Sequence, residues 1–174
     1  WHNGIKNVAL DSIIRLNNEH LSNNVQTIHE QLATRNIQSA SINGLLYRGS
    51  VKHSLHVPKL ISTANLLPKK IIVNGPTILS LGALSQYNPH NDRHKFVWKR
   101  MGVNNDFTVN ELKYFVQQRL LPPFTLAYIP DADAQIHKNG PNDLKAIEKA
   151  DQAIQEMLNS YPTWQEAIQQ ATWI

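Results

Sequence analysis

The stretch that decides the fold is residues 124–141, whose sequence is Phe-Thr-Leu-Ala-Tyr-Ile-Pro-Asp-Ala-Asp-Ala-Gln-Ile-His-Lys-Asn-Gly-Pro. Its first six residues are mostly apolar and lie between Pro123 and Pro130, which predicts a short buried strand. The polar segment that follows is broken by Gly140-Pro141, and we predict it to be a loop. An amphipathic helix pattern begins at Leu144. Strand, loop and helix in this order form the half-unit of an α/β protein, whose sites lie where strands end.

Three side chains on this predicted loop are candidates for binding a metal ion: Asp131, Asp133 and His137. Asp133 and His137 are four residues apart, so both can reach one ion if the segment curls by about one turn. A carboxylate oxygen and an imidazole nitrogen together suit zinc or manganese. The spacing alone leaves an alternative open, in which these polar side chains are solvated or cap a helix.

The same stretch resembles the nucleotide pyrophosphatase/phosphodiesterase branch of the alkaline phosphatase superfamily, in particular a bacterial type I phosphodiesterase-like protein. The residues that carry the resemblance are Tyr128, Asp133, His137 and Gly140-Pro141. The chain departs from the family pattern at Ala132 and Ile136, where members often have proline and glycine. The resemblance implies an alkaline-phosphatase-like three-layer αβα sandwich, of which this chain would hold the middle portion of the sheet and its helices.

The resemblance also implies an activity, that of a metal-dependent hydrolase acting on phosphate esters or nucleotide-like small molecules. Such enzymes use two divalent metals, zinc foremost and manganese as an alternative. Asp133 and His137 would bind one metal, while the nucleophile and the ligands of the second metal would lie outside this chain. We therefore expect residues 1–174 to be one domain, an incomplete internal fragment that is inactive alone. Its truncated sheet edge could support self-association, and residues 50–107 would form an insertion or connecting region.

The composition describes an ordinary globular protein. The 174 residues are 41% hydrophobic and 17% charged, and no apolar run approaches the roughly 20 residues of a membrane span. The absence of cysteine excludes disulfides and thiolate metal sites. We expect a soluble protein without a membrane span. The chain opens Trp-His-Asn without Met, which we interpret as a start inside a longer protein, either cytoplasmic or secreted.

The charge is unevenly distributed along the chain. Residues 48–100 contain nine Lys or Arg and one acid, Asp92, whereas the residues after 100 contain five bases and nine acids. A basic middle segment is typical of a solvated face, but it also suits an anionic substrate. The alternative function is therefore a non-catalytic basic module that binds nucleic acid or another polyanion. Phe96 and Trp98 are too few aromatic residues for a nucleic-acid patch, so nucleic acid is not the expected partner.

Weaker candidates come from a predicted strand over residues 37–47. Asn43 and Arg48 lie near its end and are candidates for contacting substrate. His29 lies beside the apolar stripe of a preceding helix, where a packed histidine is the expected role. Other predicted elements are a short helix over 1–18, a helix capped by Ser22, a strand over 69–73, a short apolar helix over 77–84, a helix opened by a capping box at Thr108–Glu111, and helices capped by Asn142 and Thr163.

Overall fold

The computed structural model describes residues 10–63, 67–91 and 100–170. Its centre is a parallel sheet of three strands in the order β4-β1-β5, namely β1 (Ser39–Ile42), β4 (Ile78–Ser80) and β5 (Phe124–Ala127). A second, antiparallel sheet consists of β2 (Val51–His56) and β3 (Lys70–Gly75). The mixed α/β class predicted from the sequence is confirmed.

Helices connect the strands and cover the sheet. They are α1 (Ile28–Thr34), α2 (Lys59–Thr63), α3 (Asn105–Gln117), α4 (Pro130–Asn139), α5 (Leu144–Leu158) and α6 (Trp164–Gln170), preceded by a π-helical segment, Asp11–His20. Short 3₁₀ turns occupy Gly82–Leu84 and Arg100–Gly102. Within the described ranges, none of these helices combines the length and the apolar character needed to cross a membrane.

Strand β1 is the centre of the sheet because its residues are small and can be enclosed on both faces. All four of its residues, Ser39 to Ile42, are at most 2% exposed, as expected for a parallel strand with neighbours on both sides. The predicted strand over 37–47 ends earlier than expected, because Asn43 adopts a left-handed conformation with φ of 55°. Asparagine tolerates that region better than most residues.

The apolar side chains form two clusters on either side of the sheet. One joins the β2–β3 sheet to β4 and includes Tyr47, Leu55, Ile71, Val73 and Leu79. The other joins β1 to α3 and α5 and includes Ile42, Phe107, Leu112, Phe115 and Met157. The two clusters lie against β1, which is completely buried, and against Leu79 and Ser80 of β4, which are buried as well.

Two predicted elements differ from the structure in type or burial. Residues 78–80, within the predicted helix over 77–84, form strand β4, because they pair in register with β1 from Ala40↔Ile78 to Ile42↔Ser80. Part of the 50–107 range thus belongs to the parallel sheet. Strand β5 was predicted to be buried, but it is only half-buried and Leu126 is 40% exposed. Among the described strands only β1 pairs with it, so β5 is an edge strand.

The apolar stripe of α5 lies on the outside of the molecule. Leu144, Ile147 and Ile154 are 78%, 54% and 44% exposed, although their spacing predicts a buried face. The buried residues of α5 are Ala146, Ala153 and Met157. The alanines let α5 approach α3 and α4 closely, and this contact orients the helix with its larger apolar residues outward.

The helix caps were only partly predictable. Thr27, not Ser22, caps α1, in a reciprocal capping box with Glu30. Asn104 caps α3 three residues before Phe107, and Asp143 rather than Asn142 caps α5. The predicted cap at Thr163 is confirmed, because its Oγ1 accepts a hydrogen bond of 3.1 Å from the Glu166 amide. Several polar residues precede each helix, and the local pattern does not select among them.

His29 has the packed role expected of it. Its ring is 1% exposed, its Nδ1 lies 3.0 Å from Ser39 Oγ, and it meets the Phe124 ring edge-on at 5.8 Å between centroids. Burial lowers the pKa of His29 below its ordinary value of 6.5, because the charged imidazolium is poorly solvated there. The folded state therefore favours neutral His29.

This burial predicts a loss of stability on acidification. Well above pH 6.5 neither folded nor unfolded His29 carries the proton, whereas around and below pH 6.5 the unfolded chain takes up a proton more readily than the folded chain does. The free energy of unfolding should fall by up to about 1.4 kcal/mol per pH unit from pH 6.5 until the lowered folded pKa is reached. Urea unfolding between pH 7.5 and 5 measures this slope. The His29→Gln variant should lack it and the exposed His90→Gln control should keep it; an equal slope in both variants contradicts the assignment.

Candidate functional site

The carboxyl ends of the three parallel strands lie at the same end of the sheet. The Tyr128 amide, just after β5, donates to the Ile42 carbonyl at 3.0 Å, and the Asn43 amide, just after β1, donates to the Ser80 carbonyl of β4 at 2.8 Å. Residues that follow these strands are therefore spatial neighbours. Parallel α/β sheets bind their ligands at this carboxyl end of the strands.

The segment after β5 is the helix α4, not the predicted loop. Pro130 occupies its first position, where a fixed φ and a missing N–H are compatible with helix. Asp131 and Asp133 lie in the first turn and His137 in the last, an arrangement that complements the helix dipole. The helix ends at Gly140, whose φ of 95° only glycine adopts readily. The glycine and prolines that suggested a loop therefore mark the two ends of a helix.

Helix α4 brings Asp133 and His137 together. They are one helical turn apart, and His137 Nε2 lies 3.3 Å from Asp133 Oδ1. The two side chains are 81% exposed for His137 and 56% exposed for Asp133. A ligand approaching from solvent can therefore reach both of them without any rearrangement of the fold.

The distance between these two atoms fits a shared metal ion. Two ligands bound at about 2.0–2.1 Å in a tetrahedral site lie roughly 3.3 Å from each other. The same separation also fits a hydrogen-bonded ion pair between neighbouring turns of a helix. Within the described part of the chain, no group of three or more metal-binding side chains gathers anywhere. Asp133 and His137 by themselves offer an ion two possible ligands, fewer than the three or four of a stable zinc site.

Asp131 points to a different neighbour and helps to position the helix. Its Oδ2 accepts a hydrogen bond of 3.2 Å from the Asn105 amide, and its own amide donates to Asn105 Oδ1 at 3.0 Å. This reciprocal pair joins the first turn of α4 to the first turn of α3. Asp131 is therefore used to fix the start of α4, which in turn sets where Asp133 and His137 lie.

A polar groove of about 730 Å³ runs between α3, α4 and α5. Its polar lining includes Asn105, Asn110, Asp131, Gln135 and Lys149. Asp131 and Gln135 are one turn apart on α4, whereas Asp133 and His137 occupy a different face of the same helix. The groove and the Asp133–His137 pair are consequently separate features.

Asn43 lies at the carboxyl end of β1, but its side chain is fully used in hydrogen bonds within the protein. Its Nδ2 donates to the Gly102 carbonyl at 3.1 Å and to Thr108 Oγ1 at 3.0 Å, while its Oδ1 accepts from the Gly82 amide at 3.1 Å. The residue is 1% exposed. Asn43 therefore joins β1 to the loops on both sides of it and presents no free atom to a substrate.

Arg48 is likewise a structural residue in this arrangement. It is 6% exposed, and its guanidinium binds the Glu30 carboxylate through Nε at 3.0 Å and Nη2 at 3.2 Å. It also donates to the carbonyls of Leu21, Ser22 and Val25. Burial alone would raise the pKa of Glu30, but hydrogen bonds from Thr27 and Arg48 hold it below its ordinary value. The pair ties the loop after the π-helical segment and the first turn of α1 to the segment between β1 and β2.

Glu111 is a buried carboxylate whose role the sequence did not predict. It was assigned to a capping box with Thr108, but both residues lie inside α3 and are 0% exposed. Glu111 accepts four hydrogen bonds, from Ser80 Oγ, the Tyr87 and Asn88 amides and Asn91 Nδ2, at 2.6–3.0 Å. The one sign of this role in the sequence is that Glu111 lies four residues from both Phe107 and Phe115, on an otherwise apolar face of the helix. The carboxylate holds the loop after β4 against α3.

Comparisons with protein families, with curated proteins and with solved structures find no match to this chain. We therefore infer function from the geometry at the carboxyl ends of the parallel strands and from the sequence resemblance around α4.

Proposed function

We propose that this chain supplies one metal-binding pair to a two-metal phosphodiesterase of the alkaline phosphatase type. The observation that carries the proposal is the 3.3 Å separation of Asp133 Oδ1 and His137 Nε2 on a helix that begins where a parallel strand ends. The substrate class is a phosphate ester or a nucleotide-like small molecule. The parallel order β4-β1-β5 is compatible with the middle of an αβα sandwich of that superfamily.

The roles of this chain's residues follow from their contacts. Asp133 and His137 would hold a zinc or manganese ion, with the nucleophile and the ligands of a second ion outside this chain. Bound divalent ions in such enzymes stabilise charge on the phosphoryl oxygens and activate the attacking hydroxyl. Asp131 and Asn105 position the pair by locking the first turns of α4 and α3 together.

Zinc titration by calorimetry tests the assignment. We expect weak binding, because two protein ligands are fewer than the three or four of a stable zinc site. Asp133→Ala should weaken it by about tenfold or more, since even outer-shell partners of a metal are worth 10–100-fold. The matched control Asp151→Asn removes an exposed carboxylate from α5 and should leave the affinity unchanged.

A second measurement locates the ion. The imidazole resonances of His137 should shift on addition of zinc in the unaltered protein and should no longer follow the same titration in Asp133→Ala. If zinc binds with the same stoichiometry and affinity in Asp133→Ala and in the unaltered chain, the two residues contact only each other and the proposed site is wrong.

A further inference from the structure

The outer face of the β2–β3 sheet gathers basic and polar side chains. Antiparallel pairing sets Lys52 opposite Asn74, Ser54 opposite Ile72 and His56 opposite Lys70. All six residues are exposed, whereas Leu55, Ile71 and Val73 of the alternate positions are buried in the core. Directly opposed residues share a face of the sheet. We call the surface made by these six exposed residues the basic face.

Two further lysines extend the basic face at one end. Lys69 directly precedes β3, and Lys59 begins α2 three residues after His56; both are exposed. The positive charge is uncompensated nearby, because residues 49–91 contain no Asp or Glu. In the part of the chain that the structure describes, none of Lys52, Lys59, Lys69 and Lys70 forms an ion pair. Such a concentration of one sign of charge attracts polyanions.

The shape of the basic face favours an extended ligand. Lys52 and His56 are four residues apart, about 13 Å along the strand, while opposed side chains are only about 5 Å apart across it. Ser54 and Asn74 add hydrogen-bonding groups between the charges. Ile72 is the one apolar residue among the six, so the basic face offers little apolar area to insert into a lipid bilayer.

We infer that the basic face binds single-stranded nucleic acid through its phosphates, a partner that the sequence alone did not predict, because the folded sheet gathers the lysines on one exposed face. The six residues include no aromatic side chain for base stacking, so binding should be independent of base sequence and electrostatic. Phe96 and Trp98, the two aromatic residues that the sequence offers for a nucleic-acid patch, lie outside the described residues. The inference is independent of the proposed phosphodiesterase function, because β3 leads into β4, at the opposite edge of the parallel sheet from β5 and α4.

The test is the salt dependence of binding to a fluorescein-labelled 20-nucleotide oligo(dT), followed by anisotropy. Each phosphate contact to a single strand contributes about −0.7 to the slope of log K against log salt. Four lysines therefore predict a slope of about −2.8, or roughly a 50-fold loss of affinity between 50 and 200 mM salt. The Lys52→Gln/Lys70→Gln double variant should reduce the slope to about −1.4.

A control variant with the same change of charge distinguishes binding at the basic face from binding that depends only on the overall charge of the protein. Lys113→Gln/Lys145→Gln alters α3 and α5 and should keep the slope of the unaltered chain. Unfolding midpoints of both double variants show whether the fold is intact. The inference is overturned if the control lowers the slope as much as Lys52→Gln/Lys70→Gln does. It is also overturned if vesicles containing phosphatidylserine bind to the basic face while oligo(dT) does not.

Discussion

Replacing Glu111 by glutamine is expected to destabilise the protein by about 3 kcal/mol, because one buried and one partly buried donor lose their acceptor. The carboxylate accepts from two donors at each oxygen, Ser80 and Tyr87 at Oε2, Asn88 and Asn91 at Oε1. A glutamine side chain keeps one acceptor oxygen and directs an NH₂ group at the other two donors. Since Glu111 is 0% exposed, water cannot replace the lost partner.

Urea unfolding of Glu111→Gln measures this loss. The control Glu148→Gln changes an exposed residue of α5, whose carboxylate accepts only a 3.4 Å hydrogen bond from Gln152, and should shift stability by less than about 0.5 kcal/mol. The loop that contains Tyr87 to Asn91 should also become more susceptible to protease in Glu111→Gln. A loss of less than about 1 kcal/mol would show that the donors find other acceptors, which contradicts the structural role given to this carboxylate.

Replacing Arg48 by alanine is expected to cost about 3 kcal/mol, because the change removes one partner of a partly buried ion pair whose Glu30 side chain is 23% exposed. The change leaves the Glu30 carboxylate without its cation and removes the donor from three carbonyls, those of Leu21, Ser22 and Val25. Arg48→Lys should recover only part of the loss, because a lysine cannot bind both Glu30 oxygens and the carbonyls with a planar fork.

The Arg48 prediction also separates two roles for this residue. If Arg48 contacts substrate, as its place after the predicted strand suggested, Arg48→Ala should fold with unchanged stability and lose only ligand affinity. Thermal and urea unfolding of Arg48→Ala and Arg48→Lys, with the exposed Arg35→Ala as control, decide between them. Stability within about 0.5 kcal/mol of the unaltered chain in Arg48→Ala would contradict the structural role.

Elements formed by neighbouring residues could be predicted from the sequence alone. The α/β class, strand β3, the start of β5, the position of α5 and the Thr163 cap all follow from alternation, helical spacing or a local cap. The four-residue spacing of Asp133 and His137 also indicated that they could converge. Their convergence needs only one helical turn, so no long-range contact is required to bring them together.

Tertiary contacts decided the rest. Strand β4 is three residues long, too short for any periodicity, and becomes a strand because it pairs with β1. Glu111 and Arg48 became structural residues because partners 18 to 31 positions away in sequence surround them. The apolar stripe of α5 faces outward because its alanines pack closest to α3 and α4. Local sequence records the preferences of adjacent residues, whereas burial and hydrogen-bond partners depend on which distant segments the folded chain brings together.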